Sequence, residues 1–230
     1  MTDASYTHYA ILVDRTGSMS KIAEETEAGI AAYIREQAAL DGKATLTLYE
    51  FDAWLHDPGK HGVHDGRMLT QVNTICDFVP LAQAPAYHLV PRGNTPLLDA
   101  AGMTITQTGE KLAAMPEAQR PGLVIFVIVT DGRENWSQEW TRERVKALTQ
   151  RQQENYGWRF TYLGANQDAF AEAGAIGVAT AAAVNYNATH AGTVSAWDAA
   201  SKWSGRTRVA GPGGQSVAYT QAEREAAEEK

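Results

Sequence analysis

The sequence holds a single cysteine, Cys76, among its 230 residues. One thiol cannot close a disulfide within the chain, and no cluster of Cys and His residues offers the ligands of a structural zinc site. Stability must therefore come from buried apolar side chains, which is feasible because a chain of this length buries ~70% of its unfolded surface. The scarcity of cysteine also fits a reducing compartment, and we expect a cytoplasmic protein.

Long apolar runs are missing as well. The longest, residues 123–129, is far shorter than the ~20 residues that a helix needs to cross a bilayer. Residues 1–10 lack the basic start and apolar stretch of a signal peptide. These features predict no membrane partner and no export.

Positive charge is in deficit, with 20 Lys and Arg residues against 27 Asp and Glu residues and a formal net charge of −7 at pH 7. A nucleic-acid partner requires clustered basic residues to neutralise its phosphates. The basic segment at residues 142–151 also carries Glu143, which is typical of a solvated helix face. We therefore expect no nucleic-acid partner.

Apolar residues follow strand and helix periodicities in turn. Strands are predicted at residues 8–13, 44–51, 122–130, 158–163 and 182–186, and the Gly-rich turn at 56–65 joins the second of these to a further short strand. Helices are predicted at residues 18–40, 95–115, 140–155 and 167–175. The order β-α-β-β-α-β-α-β-α-β indicates an α/β fold, a Rossmann-like three-layer α/β/α sandwich whose central sheet is mostly parallel with one antiparallel edge strand.

The composition changes after about residue 188 toward Ala, Gly, Thr and Ser, and the chain ends in a charged Ala/Glu-rich stretch. We predict one domain over residues 1–188 and a C-terminal appendage over residues 189–230. The appendage is expected to contain a closing helix at 189–204, a flexible Gly/Pro hinge at 210–215 and, at its end, a frayed helix or a disordered arm.

Oxygen-bearing side chains follow the predicted strands. Asp14, Thr16 and Ser18 come after the first strand, Asp131 follows the strand at 122–130, and Thr95 opens the helix that leads into that strand. In an open parallel α/β sheet the functional crevice lies beyond the carboxyl ends of the strands, so these side chains should converge. An all-oxygen set favours Mg2+, Mn2+ or Ca2+ over zinc or copper. Residues 14–18 taken alone could instead only cap the following helix.

Residues 14–18 (DRTGS) resemble the Asp-x-Ser-x-Ser motif of the metal-ion-dependent adhesion site (MIDAS) of von Willebrand factor type A (vWA) domains, with Thr16 in place of the first Ser. Thr95, within RGNTPLL, and Asp131, within VTDG, match the distant Thr and Asp of that site. The resemblance covers about residues 6–186 and is greatest to free-standing bacterial and phage-borne members of the family.

The resemblance implies a vWA-like fold and specific roles in the site. Thr16, Ser18 and Thr95 would bind a metal ion directly, and Asp14 and Asp131 would act mainly through bound water. Neutral direct ligands quench the charge of a cation poorly, so a carboxylate from elsewhere can complete its shell. The implied function is a non-enzymatic adhesion or scaffold module whose Mg2+ (or Mn2+ or Ca2+) captures an Asp or Glu residue of a partner protein, with the oligomeric state left open.

Two other functions remain open. A structural or assembly protein could keep the fold and hold a metal incidentally. A Mg2+-dependent phosphohydrolase or ATPase-like enzyme is suggested by the likeness of residues 14–18 to the phosphate loop of actin-like ATPases. Haloacid dehalogenase phosphatases carry a general acid two residues after their nucleophilic Asp, however, and the hydroxyl of Thr16 cannot transfer that proton at pH 7. The sequence has no P-loop or dinucleotide fingerprint.

Polar residues around the candidate ligands suggest supporting roles. Arg15 and Arg133 flank the ligands and would either attract an acidic partner or lie in solvent. Asp52 is expected to cap a loop or to act near the site. Asp99 is expected to face its own helix as a helix-dipole or hydrogen-bonding residue, with a role in the site as the alternative. The remaining candidates are a partner-facing rim of Glu134, Asn135 and Trp136, and a soft-metal site of His56, His61 and His64, whose spacing fixes no shared face.

Overall fold

The computed structural model describes residues 2–55, 68–165 and 168–229. The predicted turn at 56–65, with His56, His61 and His64, lies outside the described residues. So do Asn166 and Gln167, the latter at the predicted start of the fourth helix.

A six-stranded sheet forms the middle layer, in the order β3-β2-β1-β4-β5-β6. The strands are β1 (Asp3–Asp14), β2 (Lys43–Leu55), β3 (Met68–Pro80), β4 (Pro121–Thr130), β5 (Arg159–Ala165) and β6 (Ala183–Tyr186). All neighbouring pairs are parallel except β2 and β3, so β3 is an antiparallel edge strand. The predicted fold class is confirmed.

The two central strands, β1 and β4, are buried on both faces, which is why the sequence predicted them correctly. Residues 9–13 of β1 and 125–128 of β4 have no exposed surface. A strand covered by helices on both faces reads as a continuous apolar run, because neither face meets water. These side chains form the middle of one core that extends into the helices on both sides.

In the described ranges, six α-helices cover the sheet: α1 (Ala23–Ala38), α2 (Leu97–Ala114), α3 (Arg142–Tyr156), α4 (Ala169–Ala175), α5 (His190–Ala210) and α6 (Gln221–Ala227). Helix α1 packs on α5, and α2 packs on α3. The β1-α1-β2 connection runs toward one edge of the sheet and the β4-α3-β5 and β5-α4-β6 connections run toward the other, so right-handed crossovers put α1 on one face and α3 and α4 on the other. Helix α5 joins α1 and helix α2 joins α3 through their contacts, which gives three layers. No helix in the described ranges is long and apolar enough to cross a membrane.

Residues 189–229 contain two helices, α5 and α6, which pack on each other and on the rest of the chain. Trp197 and Trp203 of α5 are buried, and the ring of Tyr33 in α1 meets that of Trp197 edge-on at 5.9 Å. Helix α6 begins with a capping box formed by Thr220 and Glu223. Of the two alternatives for the end of the chain, the structure has the helix, which is capped, and the buried side chains of Tyr219 and Ala227 anchor a stretch whose average composition is polar. The division into domains at residue 188 stays a prediction.

Candidate metal centre

The carboxyl ends of β1 and β4 bring two of the predicted loops together. These strands are parallel neighbours, with Val13 opposite Val129, so the chain leaves the sheet at adjacent points after Asp14 and after Thr130. The helix predicted to start at residue 18 is preceded by a 3-10 turn, Gly17–Lys21, and α1 starts only after Ile22. Residues 16–18 thus curve over the end of the sheet.

Hydrogen bonds join the five predicted ligands into one chain of contacts. The amide of Thr16 donates to Oδ1 of Asp14 at 2.7 Å. The hydroxyl oxygen of Thr16 lies 3.3 Å from that of Ser18 and 3.3 Å from that of Thr95. The hydroxyl of Ser18 donates to Oδ1 of Asp131 at 2.6 Å. The structure therefore brings together all five side chains that the sequence predicts to converge.

The loop that carries Thr95 is held against the other two loops through its backbone. The amide of Gly17 donates to the carbonyl of Gly93 at 3.3 Å, and the amide of Thr95 donates to Oδ1 of Asn135 at 2.9 Å. Asn135 also donates its own amide to the carbonyl of Thr95 at 3.1 Å. A Cβ at Gly132 would lie 3.0 Å from Oγ1 of Thr95, so the loop after Asp131 is in close contact with this hydroxyl.

Asp14 is fully buried, and its ionised form is poorly compensated. Burial raises the pKa of Asp14 to about 7, against hydrogen bonds from Thr130 and Thr16 that lower it. Burial also raises the pKa of Asp131, while the hydrogen bond from Ser18 lowers it. Neither carboxylate forms a salt bridge within the described ranges. A cation between them would favour the charged form of both carboxyl groups.

The donor chemistry fits a hard divalent cation. The cluster offers two carboxylates and three hydroxyls, all oxygen donors of the kind that Mg2+, Mn2+ and Ca2+ prefer. No group of three or more His, Cys, Asp or Glu side chains in the described parts of the chain could hold a metal, so a metal here would depend on the hydroxyls. Which of the five side chains bind it directly stays a prediction.

Thr130 contacts the candidate site but was not singled out from the sequence. Thr130 donates its hydroxyl to Oδ2 of Asp14 at 2.6 Å and also accepts the amide of Gly132 at 3.1 Å. It thereby orients one carboxylate and the loop that carries the other. Its position as the last residue of an apolar strand, next to Asp131, is the available signal, since a polar side chain there faces the crevice.

Arg15 is neither solvated nor free to attract a partner, so both interpretations offered for it are wrong. It is 7% exposed and donates to Oε1 of Glu50 at 2.7 Å, and its Nε lies 3.3 Å from Oδ2 of Asp52. Glu50 went unnoticed because it lies in a predicted apolar strand, although a charged residue in such a strand signals a buried partner. Arg133, by contrast, is exposed.

Asp99 and Glu134 organise the loop after β4. Asp99 lies in the first turn of α2 and is a hydrogen-bonding residue, as expected, but its partners are the backbone amides of Gln138, Glu139 and Trp140 at 2.8–2.9 Å, in this loop. Glu134 accepts the amide of Leu98 at 2.8 Å and so caps α2. Of the predicted rim, Glu134 and Asn135 thus hold the site together, and Trp136 is half-buried.

No protein-family profile matches the sequence, and no curated protein matches it. Solved structures are similar in fold. Proximal thread matrix protein 1 from the mussel byssus, with a zinc-occupied MIDAS motif, is 13% identical with a TM-score of 0.54, and the match covers 84% of this chain and 46% of that one. A von Willebrand factor type A structure from Catenulispora acidiphila is 17% identical with a TM-score of 0.50, covering 86% and 42%.

The pilus adhesin SpaC from Lactobacillus rhamnosus GG, in an open conformation, is 13% identical with a TM-score of 0.55, and the match covers 89% of this chain and 30% of that one. The match thus spans less than half the length of each of these proteins. At such identities the likeness concerns the fold alone. The chain has the Rossmann-like sandwich of vWA domains, as the sequence predicts.

Proposed function

We propose that this chain is a metal-dependent protein-binding module with a MIDAS-type site. Thr16, Ser18 and Thr95 would bind Mg2+ directly, and Asp14 and Asp131 would act mainly through bound water. The observation that carries the proposal is the contact chain of oxygen atoms, in which the three hydroxyls follow one another at 3.3 Å and end on a carboxylate. The zinc-occupied MIDAS motif of the similar mussel protein supports a divalent cation here.

The hydrogen bonds leave the hydroxyl oxygens able to act as ligands. Ser18 uses its proton in the bond to Asp131 and accepts the contact from Thr16, so one lone pair of its oxygen remains for a cation. Asp14 is oriented by the Thr130 hydroxyl and the Thr16 amide before any ion arrives. When bound, the ion supplies a Lewis-acidic position that an incoming carboxylate can occupy. The residues of the chain provide the fixed oxygen donors.

A carboxylate is the expected partner group for an electrostatic reason. The positive charge of Arg15 is neutralised by Glu50 and Asp52, so an acidic partner would be attracted by the ion and not by this arginine. A single metal–carboxylate contact gives little specificity, and the partner's Asp or Glu residue must be presented by a surface that fits the surrounding loops. The free-standing bacterial and phage-borne vWA proteins remain the proposed relatives.

We also propose that the module is not an enzyme, acts in the cytoplasm and binds neither nucleic acid nor membrane. The single cysteine and the net charge of −7 support this setting.

The proposed function is tested by capture of partners from native lysate on the immobilised protein, first in Mg2+ and then in chelator. We expect specific partners to bind in Mg2+, to be released by chelator, and to be lost with Thr95→Ala. Thr106→Ala is the matched control, because Thr106 lies in α2 and its hydroxyl bonds only within the helix, to the carbonyl of Gly102 at 2.7 Å. Binding that survives chelator and Thr95→Ala would favour the assembly protein, and Mg2+-dependent phosphate release would favour the enzyme.

A further inference from the structure

Two of the ligand loops come from distant parts of the chain, and an ionic cluster with buried carboxylates lies between them. One loop carries Thr16 and Ser18, and the other carries Thr95. The cluster consists of Arg15, Glu50, Asp52 and Arg92. Each arginine lies in one of the two loops, and both carboxylates lie on β2, which pairs with β1.

Asp52 contacts both arginines with one fully buried carboxylate. Its Oδ2 accepts a hydrogen bond of 2.6 Å from Nε of Arg92 and lies 3.3 Å from Nε of Arg15. The exposed fraction of the Asp52 side chain is 0%. Its Oδ1 accepts Nη2 of Arg15 at 3.4 Å. One side chain on a rigid strand is therefore bonded to both loops.

The backbone follows the same connections. The amide of Arg15 donates to the carbonyl of Phe51 at 3.0 Å, and the amide of Arg92 donates to the carbonyl of Arg15 at 2.8 Å. Asn94, directly before Thr95, exchanges two backbone hydrogen bonds with Ala53, at 2.9 and 3.2 Å. The end of β2 is thus a common support for the loop after β1 and the loop before α2.

Glu50 completes the balance of charge in the cluster. It accepts Nη1 of Arg15 at 2.7 Å, Nδ2 of Asn73 at 3.0 Å and the hydroxyl of Tyr87 at 3.1 Å. Two carboxylates therefore face two guanidinium groups. Uncompensated arginines at positions 15 and 92 would raise the electrostatic cost of placing a divalent cation beside them.

We propose that Asp52 is a positioning residue for the metal site, which sets the spacing between the Thr16–Ser18 loop and the Thr95 loop through Arg15 and Arg92. The inference rests on the proposed function, since it assumes that these loops bind a cation. If Asp52 positions the loops, its loss should change the selectivity between metal ions, which the loss of a purely structural salt bridge would not do. Mg2+ demands near-ideal octahedral geometry with short bonds, whereas Ca2+ tolerates longer and irregular ones. Loosening the loops should therefore weaken Mg2+ binding more than Ca2+ binding.

The experiment measures Mg2+ and Ca2+ dissociation constants by calorimetry for the wild type, Asp52→Asn and Arg92→Gln, together with thermal unfolding without metal. Asp77→Asn is the matched control: Asp77 is also a strand carboxylate in an ion pair, with Lys111 at 2.7 Å, but contacts neither loop. Arg92→Gln is included because Asp52→Asn changes a fully buried residue and could prevent folding. The side chain of Arg92 is 33% exposed, so its replacement should disturb folding less.

We expect the Mg2+ dissociation constant to rise about tenfold in Asp52→Asn and Arg92→Gln, as is usual when a residue that orients ligands is changed. The Ca2+ constant should rise less than about threefold, and Asp77→Asn should bind both ions as the wild type does. Folded variants with unchanged constants, or with equal weakening of both ions, would overturn the positioning role while leaving the proposed function intact. A wild type that binds neither ion would overturn the proposed function, and this inference with it.

Discussion

The hydroxyl of Ser18 donates a hydrogen bond of 2.6 Å to the carboxylate of Asp131, although 113 residues separate them in the sequence. The bond crosses from the loop after β1 to the loop after β4. Ser18 therefore has two roles: its hydroxyl proton orients the carboxylate of Asp131, and its oxygen remains a candidate metal ligand.

Ser18→Ala should weaken Mg2+ binding strongly and stability only slightly. The variant removes both a candidate ligand and the donor to Asp131, and losses of 10- to 100-fold in affinity are typical of changes around bound metals. Because Ser18 is exposed, we expect the free energy of unfolding to change by less than about 1 kcal/mol. Calorimetric titration and thermal unfolding measure the two effects. Ser20→Ala, also exposed and in the same 3-10 turn, should bind Mg2+ normally, and equal losses in both variants would argue against the role of Ser18.

Divalent metal should stabilise the folded chain. A ligand that binds only the native state raises the free energy of unfolding by about 2.7 kcal/mol at a concentration 100 times its dissociation constant. We expect Mg2+ to raise the melting temperature of the wild type and chelator to reverse the rise. The same titration on Asp14→Asn should give a much smaller shift, because a carboxylate of the site is lost. An equal shift in both proteins would mean that Mg2+ acts elsewhere.

His8 should make stability depend on pH on the acid side. It is fully buried, its ring stacks on Phe78 at 3.9 Å, and burial lowers its pKa to about 3. The unfolded chain takes up this proton below about pH 6.5 and the folded chain does not, so the stabilisation is complete above pH 6.5 and is lost as pH falls from there toward 3.

The contribution of His8 is measured by urea unfolding of the wild type and His8→Gln between pH 4.5 and 7.5. The wild type should lose up to about 1.4 kcal/mol per pH unit more than the variant below pH 6. His190→Gln is the comparison variant, because the side chain of His190 is 80% exposed. Parallel profiles for the wild type and His8→Gln would contradict a buried neutral histidine.

Gly29 should be intolerant of a side chain, because α5 packs directly on it. A Cβ at this position would lie 2.1 Å from Cδ1 of Trp197, so Gly29→Ala is expected to cost about 1–3 kcal/mol despite the better helix propensity of alanine. Gly205 is the matched control within a helix, since a Cβ there would meet nothing closer than Leu40 at 3.8 Å. Gly205→Ala should be neutral or stabilising by up to about 1 kcal/mol in chemical unfolding. A neutral Gly29→Ala would contradict the close packing of α5 on α1.

The apolar central strands allow the sequence to predict both the layered fold and the place where the candidate ligands meet. Central strands buried on both faces appear as apolar runs, and a polar residue such as Asp14 marks where each run leaves the sheet. Parallel pairing then brings Asp14 and Asp131 together without any knowledge of the side-chain contacts. Thr95 could be added because its loop opens the helix that leads into the strand before Asp131, and the family resemblance points to the same threonine.

Contacts between residues far apart in the sequence could not be predicted from local patterns, and the partners of Arg15 are an example. Arg15 looks like a solvated charge in its own segment, and only the pairing of β1 with β2 places it beside Glu50 and Asp52. The tail likewise looks flexible by composition. A glycine inside a predicted helix was a usable signal, because Gly29 leaves the space that Trp197 fills.

The most direct measurement is anomalous diffraction from crystals of the wild type grown with Mn2+, with Asp14→Asn crystals as the comparison. We expect one manganese peak in the wild type, bonded directly to the hydroxyl oxygens of Thr16, Ser18 and Thr95, and a much weaker or missing peak in the variant. A peak elsewhere, or none at these three oxygens, would contradict the proposal that they hold a divalent cation.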